Sequence, residues 1–349
     1  MVEDKRLGDD RRKKDHRPPK DRRDPEPLVS VLPAYDDEVV PIRSEAGRFG
    51  IFLKELNRQK YSFLFIAPGL ILFTIFVLIP VVTSLFWSFT RYNVFQPPIW
   101  VGLDNYRHIL FHDPRFWKAI KNTVLYVGGT VPAGIVIALM LSIAIDQQIR
   151  FKGFFKTMFF MPAVTAIVAI SVIWKWLYAG EKYGLINYLL IKMGFQPVDW
   201  LLSPAWTLPA IMIMSVWAGL GYNIILFTAG LSAIPKRFYE AAEIDGANAW
   251  DKFWNVTLPL LMPTMLFVVV MSVIASFQVF DQVYIMTGGT EEGIGGILDS
   301  ALTIVAYLYD MGFQKFRMGY ASALAYLIFA IIFGATLVNF KMMRSKIEY

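Results

Sequence analysis

The sequence predicts an all-α integral membrane protein with six transmembrane helices and both termini in the cytoplasm. Hydrophobic residues make up 56% of its 349 residues and charged residues only 18%, a composition more apolar and less charged than that of soluble domains. Six apolar runs are each long enough to cross about 30 Å of hydrocarbon, which takes about 20 helical residues. The lysines and arginines cluster in alternate loops, as they do in multi-pass membrane proteins.

The N-terminal stretch is polar. Residues 1–46 are dominated by Arg, Lys, Asp, Glu and Pro, cannot bury enough apolar surface to fold, and are predicted to form a disordered, charged cytoplasmic tail. Acids and bases nearly balance there, which disfavours nucleic acid as a partner and leaves weak attraction to membrane lipid headgroups. Residues 47–61 carry Phe49, Phe52, Leu53 and Leu56 on one helical face and are predicted to form an amphipathic interfacial helix.

The transmembrane domain is predicted over residues 62–345. A seventh apolar stretch, from Ile297 to Phe313, is short and carries Asp299 and Asp310. It is therefore predicted to lie on the outer side, packed against the other helices. The six predicted spans are residues 62–89, 122–145, 157–178, 207–233, 262–286 and 319–340.

Orientation follows from the distribution of basic residues. With the N-terminus in the cytoplasm, 24 of the 34 lysines and arginines fall on the cytoplasmic side, 15 of them within residues 1–60. Cytoplasmic loops of membrane proteins carry this excess of positive charge. Both termini and the polar loop between the fourth and fifth spans are therefore predicted to be cytoplasmic.

That loop, from Ile234 to Pro263, is too polar to cross a bilayer. Pro235 suits the first turn of a helix, and Gly246 offers a break after about three turns. A second helix then places aromatic residues on one side, and Pro259 marks where the next span begins. The loop is predicted to be two short helices that lie flat at the membrane and dock a partner; the aromatic residues of the second helix are Trp250, Phe253 and Trp254.

The residues of this loop also carry a resemblance. Glu240-Ala241-Ala242, followed by Asp245-Gly246 and closed by Leu258-Pro259, resembles the EAA loop of permease subunits in binding-protein-dependent ABC importers. The resemblance implies the type I ABC importer permease fold and a loop that inserts into a groove on a separate ATPase. For the helical pattern taken alone, an amphipathic interfacial helix is the alternative. The implied ATPase-coupling residues are Glu240, Ala241, Ala242, Asp245 and Gly246.

The same resemblance implies the partners and the compartment. The chain would work with a second, homologous permease subunit, an ABC ATPase dimer and an extracytoplasmic solute-binding protein. It would reside in the plasma (inner) membrane of a prokaryote as a non-catalytic, multi-pass subunit. ATP and Mg would be bound by the partner ATPase, so no cofactor is expected in this chain.

Further segments resemble the carbohydrate-uptake branch of this family, which includes maltose-, trehalose- and glycerol-phosphate-type systems. Val101-Gly102-Leu103-Asp104-Asn105-Tyr106 resembles an outer segment after the first span, and Met161-Pro162-Ala163 a part of the third. The run from Val279 to Gly289 resembles the end of the fifth span, although Thr290 stands where many relatives carry Gly-Pro. The implied solute is a sugar or polyol.

Polar residues deep in a span point to a solute pathway. Counted from Pro263 at about 1.5 Å per residue, Ser272 lies about 14 Å and Ser276 about 20 Å into the membrane. Small and hydroxyl residues also mediate helix packing, and the partner permease could hold the site instead. The resemblance implies that Gly219, Tyr222, Ser272 and Ser276 line the solute site. The full set of pathway candidates is Trp217, Gly219, Tyr222, Asn223, Ser272, Ser276 and Gln278.

Other functional classes find little support. No nucleotide-binding Gly-x-x-x-x-Gly-Lys-Ser/Thr motif occurs, and with no cysteine and three scattered histidines neither a catalytic centre nor a metal site is predicted. An ion-coupled secondary transporter is the alternative function. It would need an acid at mid-membrane, whereas the helical count places Asp281 about 27 Å above Pro263, at the outer interface.

Overall fold

The computed structural model describes residues 60–146, 152–180, 183–288 and 293–344. The predicted tail, 1–46, and all but the end of the predicted interfacial helix, 47–61, lie outside these residues. The chain divides into two units, residues 1–69 and residues 70–349. The described part of the first unit belongs to a single helix.

The described residues are almost entirely helical. The only strands among them, β1 (Thr90–Arg91) and β2 (Ile99–Trp100), pair antiparallel. The helices of the first half are α1 (Lys60–Phe73), α2 (Ile79–Ser88), α3 (Asp104–His112), α4 (Pro114–Asp146), α5 (Lys152–Val164), α6 (Ile167–Leu177) and α7 (Leu185–Lys192). Those of the second half are α8 (Thr207–Ser232), α9 (Lys236–Ile244), α10 (Ala249–Lys252), α11 (Leu258–Phe277), α12 (Asp281–Thr287), α13 (Ile304–Tyr309) and α14 (Met318–Arg344).

Six apolar spans are present among the described residues, which confirms the predicted number if one bent pair of helices counts as a single span. π-helical turns join some of the helices, at Thr74–Leu78 within the first span and Phe253–Thr257 within the fifth. The spans are Leu64–Ser88, Pro114–Ile145, the pair Gly153–Val164 and Ile167–Leu177, Thr207–Ser232, Ala249–Phe277 and Met318–Lys341.

The third span, predicted as continuous over 157–178, is broken. Helices α5 and α6 meet at an angle of 99°, and the amide of Thr165 reaches back only to the carbonyl of Pro162, at 3.2 Å. Pro162 lies within α5 and has no amide hydrogen to donate to the Met158 carbonyl, so the hydrogen-bond ladder of this helix is already incomplete about one turn before the break. The Thr165 hydroxyl donates to the Met161 carbonyl at 2.9 Å, so a side chain satisfies one of the backbone groups released by the break.

The fifth span also differs from its predicted bounds, 262–286. It begins in the loop, at Ala249, because α10, the π turn and α11 run on as one helix. It ends at Phe277, where the backbone of Phe280 leaves the helical region and α12 starts afresh at Asp281. The depth of Asp281 can therefore not be obtained by counting helical residues from Pro263. Asp281 is exposed at the first turn of α12.

The core is built around the fourth span. Within the most apolar 18-residue stretch of α8, 44% of the residues are buried, a larger share than in any other continuous span among the described residues. One reason is a close approach to α5: a Cβ on Gly221 would lie 2.4 Å from the carbonyl oxygen of Phe159. Gly219, one half-turn away, has open space in the same position.

Residues 297–317 pack against the start of the second span, as predicted for the seventh apolar stretch. Arg115 joins its two acids, donating to Asp299 at 2.7 and 2.8 Å and to Asp310 at 2.6 Å. Asn122 donates to the carbonyls of Asp299 and Leu302 at 2.9 and 3.0 Å. Short helical turns with buried apolar residues replace a membrane-spanning helix here.

A second carboxylate, Asp113, secures the same segment. It accepts hydrogen bonds from the hydroxyls of Tyr307 and Tyr320 and from the amides of Arg115 and Phe116. Burial on its own raises the pKa of Asp113, but these four hydrogen bonds outweigh it and hold the pKa below the ordinary value of 3.8. The ionised carboxylate therefore ties the second span to α13 and α14.

We expect Gly221→Ala to destabilise the protein by about 1–3 kcal/mol, because the added methyl group meets backbone that cannot move independently. Thermal unfolding of the purified chain in detergent measures the effect. Gly219→Ala is the matched control, since its methyl group enters open space. Equal midpoints for the two variants would contradict the close α5–α8 contact.

Asp113→Asn should lower the free energy of unfolding by about 1–3 kcal/mol at neutral pH, because one amide cannot replace four hydrogen bonds to a carboxylate. The pKa of Asp113 is lowered in the folded state, so its contribution is present above the ordinary aspartate pKa and is lost as pH falls through the folded value. The unfolding midpoints of the two proteins should differ most at neutral pH and should approach each other as the pH falls below the ordinary value of 3.8. A constant difference would contradict this role.

Candidate solute cavity and coupling loop

A cavity of about 370 Å³ lies beside α8, between the second, third, fourth and fifth spans. Its walls combine hydroxyl, amide and aromatic side chains with small residues. None of the side chains that line it is an acid, a lysine, an arginine or a histidine. The polar and aromatic lining residues are Tyr126, Thr130, Thr165, Ser215, Tyr222, Asn223, Ser272, Ser276 and Gln282.

The break in the third span forms one wall of this cavity. Pro162, Ala163, Thr165 and Ile167 all line it, so the interrupted backbone faces the cavity. In a membrane, irregular backbone is tolerated where it is buried in protein or lines a cavity. Gly219 of α8 also lines the cavity and leaves room that a larger residue would fill.

The second and fifth spans approach each other across the cavity. The hydroxyls of Thr130 and Ser276 are 3.4 Å apart, and Thr130 also donates to the carbonyl of Tyr126 at 2.7 Å. Because α11 is continuous from Leu258 to Phe277, Ser272 and Ser276 share one face one turn apart. The hydroxyl groups are therefore held by rigid helices.

Five of the seven predicted pathway residues line the cavity: Gly219, Tyr222, Asn223, Ser272 and Ser276. The other two do not. Trp217 packs against Trp174, with ring centroids 5.6 Å apart, and Gln278 is exposed at the C-terminal end of α11.

The cavity also contains residues that the sequence analysis missed. Tyr126 and Thr130 lie one turn apart in the second span, a spacing that marks a shared polar face. Gln282, rather than Gln278, reaches the cavity, because the helix break at 278–280 redirects the chain. Pro162 is visible in the sequence as a helix-breaking residue. The place of Thr165 in the cavity lining, however, follows from the bend between α5 and α6.

The polar loop begins with α9, which has no buried residue. Its C-terminal end is closed by two backbone hydrogen bonds, from Gly246 to the Glu243 carbonyl at 3.1 Å and from Ala247 to the Ala242 carbonyl at 2.8 Å. This is the Schellman arrangement, which requires a left-handed residue after the helix. Gly246 supplies it, with a φ of +77°.

The second part of the loop is equally well fixed. The Asn248 side chain accepts from the amides of Trp250 and Asp251 at 2.8 and 3.0 Å, and Asp251 accepts from the Asn248 amide at 3.2 Å. These bonds form a capping box. Lys252 bridges back to Glu243 at 2.9 Å, which joins α10 to α9 within this chain.

The loop presents exposed apolar side chains next to this frame. Ile244 is 87% exposed and Trp250 67%, and the rings of Trp250 and Trp254 lie 5.6 Å apart. Glu240 is exposed and forms no ion pair with another described residue. Of the five predicted coupling residues, Ala242 is half-buried and Glu240, Ala241, Asp245 and Gly246 are exposed.

The sequence model for inner membrane components of binding-protein-dependent transport systems matches residues 123–341. The chain belongs to this family. That match includes the whole loop and every residue that lines the cavity, from Tyr126 to Gln282.

Curated relatives match most of the chain. A probable ABC transporter permease protein of Bacillus subtilis is 35% identical over 82% of this chain and 92% of its own length. A lactose transport system permease protein of Rhizobium radiobacter is 34% identical, over 82% and 94%. An arabinooligosaccharides transport system permease protein of Bacillus subtilis is 31% identical, over 89% and 97%.

A solved structure shares the fold. One chain of a bacterial ABC transporter involved in the import of the acidic polysaccharide alginate matches 84% of this chain and 98% of its own, with a TM-score of 0.71 and 25% identity. The chain is thus the membrane-spanning permease component of a binding-protein-dependent ABC importer, with the type I permease fold. It is a non-catalytic subunit located in the inner membrane.

Proposed function

We propose that this permease translocates a neutral sugar or polyol through the cavity beside α8, and that the loop of residues 234–263 couples it to an ATPase. The observation that carries the proposal is the cavity lining: hydroxyl, amide and aromatic groups from four spans, with no charged side chain among them. Sugars offer hydroxyl groups to such polar side chains and CH faces to aromatic rings.

The uncharged lining favours a neutral solute over an acidic one. Burial of a carboxylate in this cavity would cost free energy without a cation to pair with it. The named relatives include permease proteins of lactose and arabinooligosaccharides transport systems, both systems for neutral sugars. An alginate transporter shares the fold, but the absence of arginine and lysine from this lining favours the neutral class.

The loop can act as a lever because it is continuous with the cavity wall. The helical run from Ala249 to Phe277 carries Trp250 and Trp254 at one end and Ser276 near the other. The two ends are about 40 Å apart at 1.5 Å per residue. A movement imposed on the loop would therefore reach the solute-binding residues through one helix.

The exposed parts of the loop fit a groove on another protein. Ile244 and Trp250 offer apolar surface, and the unpaired carboxylate of Glu240 offers a partner for a basic side chain. We assign this contact to an ABC ATPase dimer that binds ATP and Mg, and we assign the other half of the pathway to a second, homologous permease. An extracytoplasmic binding protein would deliver the solute, as the family name implies.

Ion-coupled transport is less well supported by this arrangement. No carboxylate lines the cavity, and Asp281, the acid that such a mechanism would have used, is exposed at the start of α12. The decisive experiment is uptake of a labelled neutral sugar into liposomes that contain the chain together with its co-purified partners. Uptake that requires internal ATP supports the proposal, whereas uptake by the chain alone along an ion gradient overturns it.

The coupling role makes a sharp prediction for Gly246. Gly246→Pro should abolish ATP-driven uptake, because proline cannot adopt a φ of +77° and has no amide hydrogen for the Glu243 carbonyl. Glu240→Lys should do the same by reversing the charge at the proposed contact. Uptake and sugar-stimulated ATPase activity measure the effect.

Gly246→Asn is the matched control for that experiment, since asparagine tolerates the left-handed conformation and should retain most of the activity. Membrane insertion, measured by blotting of membrane fractions, should be normal in all three variants. Full transport by Gly246→Pro or Glu240→Lys would contradict a coupling role for the loop.

The cavity can be tested by chemical labelling, because the chain contains no native cysteine. A cysteine at Ser272 should react with a water-soluble maleimide, and the transported sugar should slow that reaction severalfold by occupying the cavity. Val268→Cys is the control, because Val268 lies one turn earlier on α11 and is fully buried. It should react slowly with the maleimide, at a rate that does not depend on the sugar. Labelling at Ser272 that sugar leaves unchanged would count against this cavity as the solute site.

A further inference from the structure

A second cavity, of about 630 Å³, lies where α3, the β1–β2 hairpin and the start of α14 meet. Unlike the cavity beside α8, it is strongly basic. Three arginines and two histidines line it, with Asp104 as the only acid. The basic residues are Arg91, Arg107, Arg317, His108 and His112.

The three guanidinium groups have no carboxylate partner. None of them forms an ion pair with another described residue, and Arg317 instead lies over the ring of Tyr320, 4.4 Å from its centroid. All three arginines are exposed. Arginine presents a planar fork of donors that matches the oxygens of phosphate, so an unpaired group of three favours an anionic ligand.

The frame of this basic cavity is fixed by buried contacts. The Asn105 amide group donates to the carbonyls of Ser88 and Thr90, both at 2.9 Å, which joins α3 to β1. The Gly319 amide donates to the Tyr92 carbonyl at 3.1 Å, and a Cβ on Gly319 would lie 2.0 Å from the Thr90 oxygen. The cavity is thus preformed by close backbone contacts.

Its surroundings place it at the membrane interface. The first span ends at Ser88 and the sixth begins at Met318, so the cavity lies at the level where both leave the hydrocarbon. Exposed aromatic residues lie next to its lining residues along the chain: Phe95, which is 75% exposed, follows Asn93 by two positions, and Trp100, 63% exposed, precedes Val101. Phe95 also packs against Phe316, with ring centroids 5.3 Å apart. Aromatic side chains concentrate at the two membrane–water interfaces.

We infer that this cavity binds the phosphate headgroup of an anionic phospholipid from the extracytoplasmic leaflet. The basic lining matches the headgroup, and the adjacent aromatic and aliphatic surface matches the acyl chains. A soluble anion would use the arginines but leave the apolar rim exposed to water. An acidic segment of a soluble partner protein would face the same cost, which favours the lipid. Basic pockets between spans hold such headgroups in other membrane proteins.

Native mass spectrometry of the purified full-length chain, with palmitoyl-oleoyl phosphatidylglycerol added, tests this inference. Arg91→Gln combined with Arg107→Gln should lower the affinity about tenfold or more, since each charge-assisted hydrogen bond is a strong one. Lys121→Gln combined with Lys192→Gln removes two exposed outer charges outside the cavity and should change the affinity by less than about twofold. Phosphatidylcholine with the same chains should bind weakly to all of these proteins.

Several results would overturn the inference. Equal losses in both double variants would indicate non-specific attraction, and no loss in the arginine variant would exclude the cavity. Displacement of the lipid by an equal concentration of inorganic phosphate would show a site for free anions. Weaker association of the binding protein with unchanged lipid binding would assign the cavity to a protein partner. If the double arginine variant is not monodisperse, Arg107→Gln against Lys121→Gln gives the same comparison.

Discussion

The need to satisfy every backbone polar group within hydrocarbon governs how this permease makes room for a solute. An unbroken bundle of spans would leave no gap, yet a broken span exposes amides and carbonyls that lipid cannot satisfy. The break after Pro162 opens a gap and also keeps the freed backbone groups away from lipid. The Thr165 hydroxyl bonds the Met161 carbonyl, and the interrupted backbone faces a cavity rather than lipid. The close contact of Gly221 with Phe159 then holds α5 against the central helix, so the cavity depends on a proline, a threonine and a glycine together.

Two regions along the second span use polar groups differently. Next to the cavity beside α8 they are neutral, and the hydroxyls of Thr130 and Ser276 lie 3.4 Å apart. At the start of the second span they are charged: Arg115 bridges Asp299 and Asp310, while Asp113 holds Tyr307 and Tyr320. The charged groups fix a segment that has no span of its own, and the neutral groups leave a space that a ligand can enter. The start of the second span is therefore fixed by charged groups, while the part next to the cavity leaves space for a ligand.

Sequence patterns predicted the features that depend on local composition. Apolar runs gave the six spans, and Gly246 gave the bend in the loop, because the left-handed position requires glycine. The pattern failed where tertiary contacts decide the outcome. The fifth span ends at Phe277 without a glycine or proline to mark it, so an apolar run that continues to Met286 hid the break. For the same reason Gln278 and not Gln282 was predicted from the sequence, and Tyr126 was not considered. Which side chains share a cavity depends on the packing of four helices, and no single helix encodes it.

The π turn at Phe253–Thr257 also sets an angle. It inserts one extra residue into the helix that joins the loop to the cavity wall. The Thr257 hydroxyl lies 3.0 Å from the Tyr239 hydroxyl and donates to the Lys252 carbonyl at 3.3 Å. Each residue in a helix advances the chain by about 100°, so this insertion fixes the direction in which Trp250 and Trp254 face relative to Ser272 and Ser276. Loss of a single residue here would leave both surfaces chemically intact but turn one away from its partner. The number of residues in this turn therefore sets how the loop is oriented relative to the cavity.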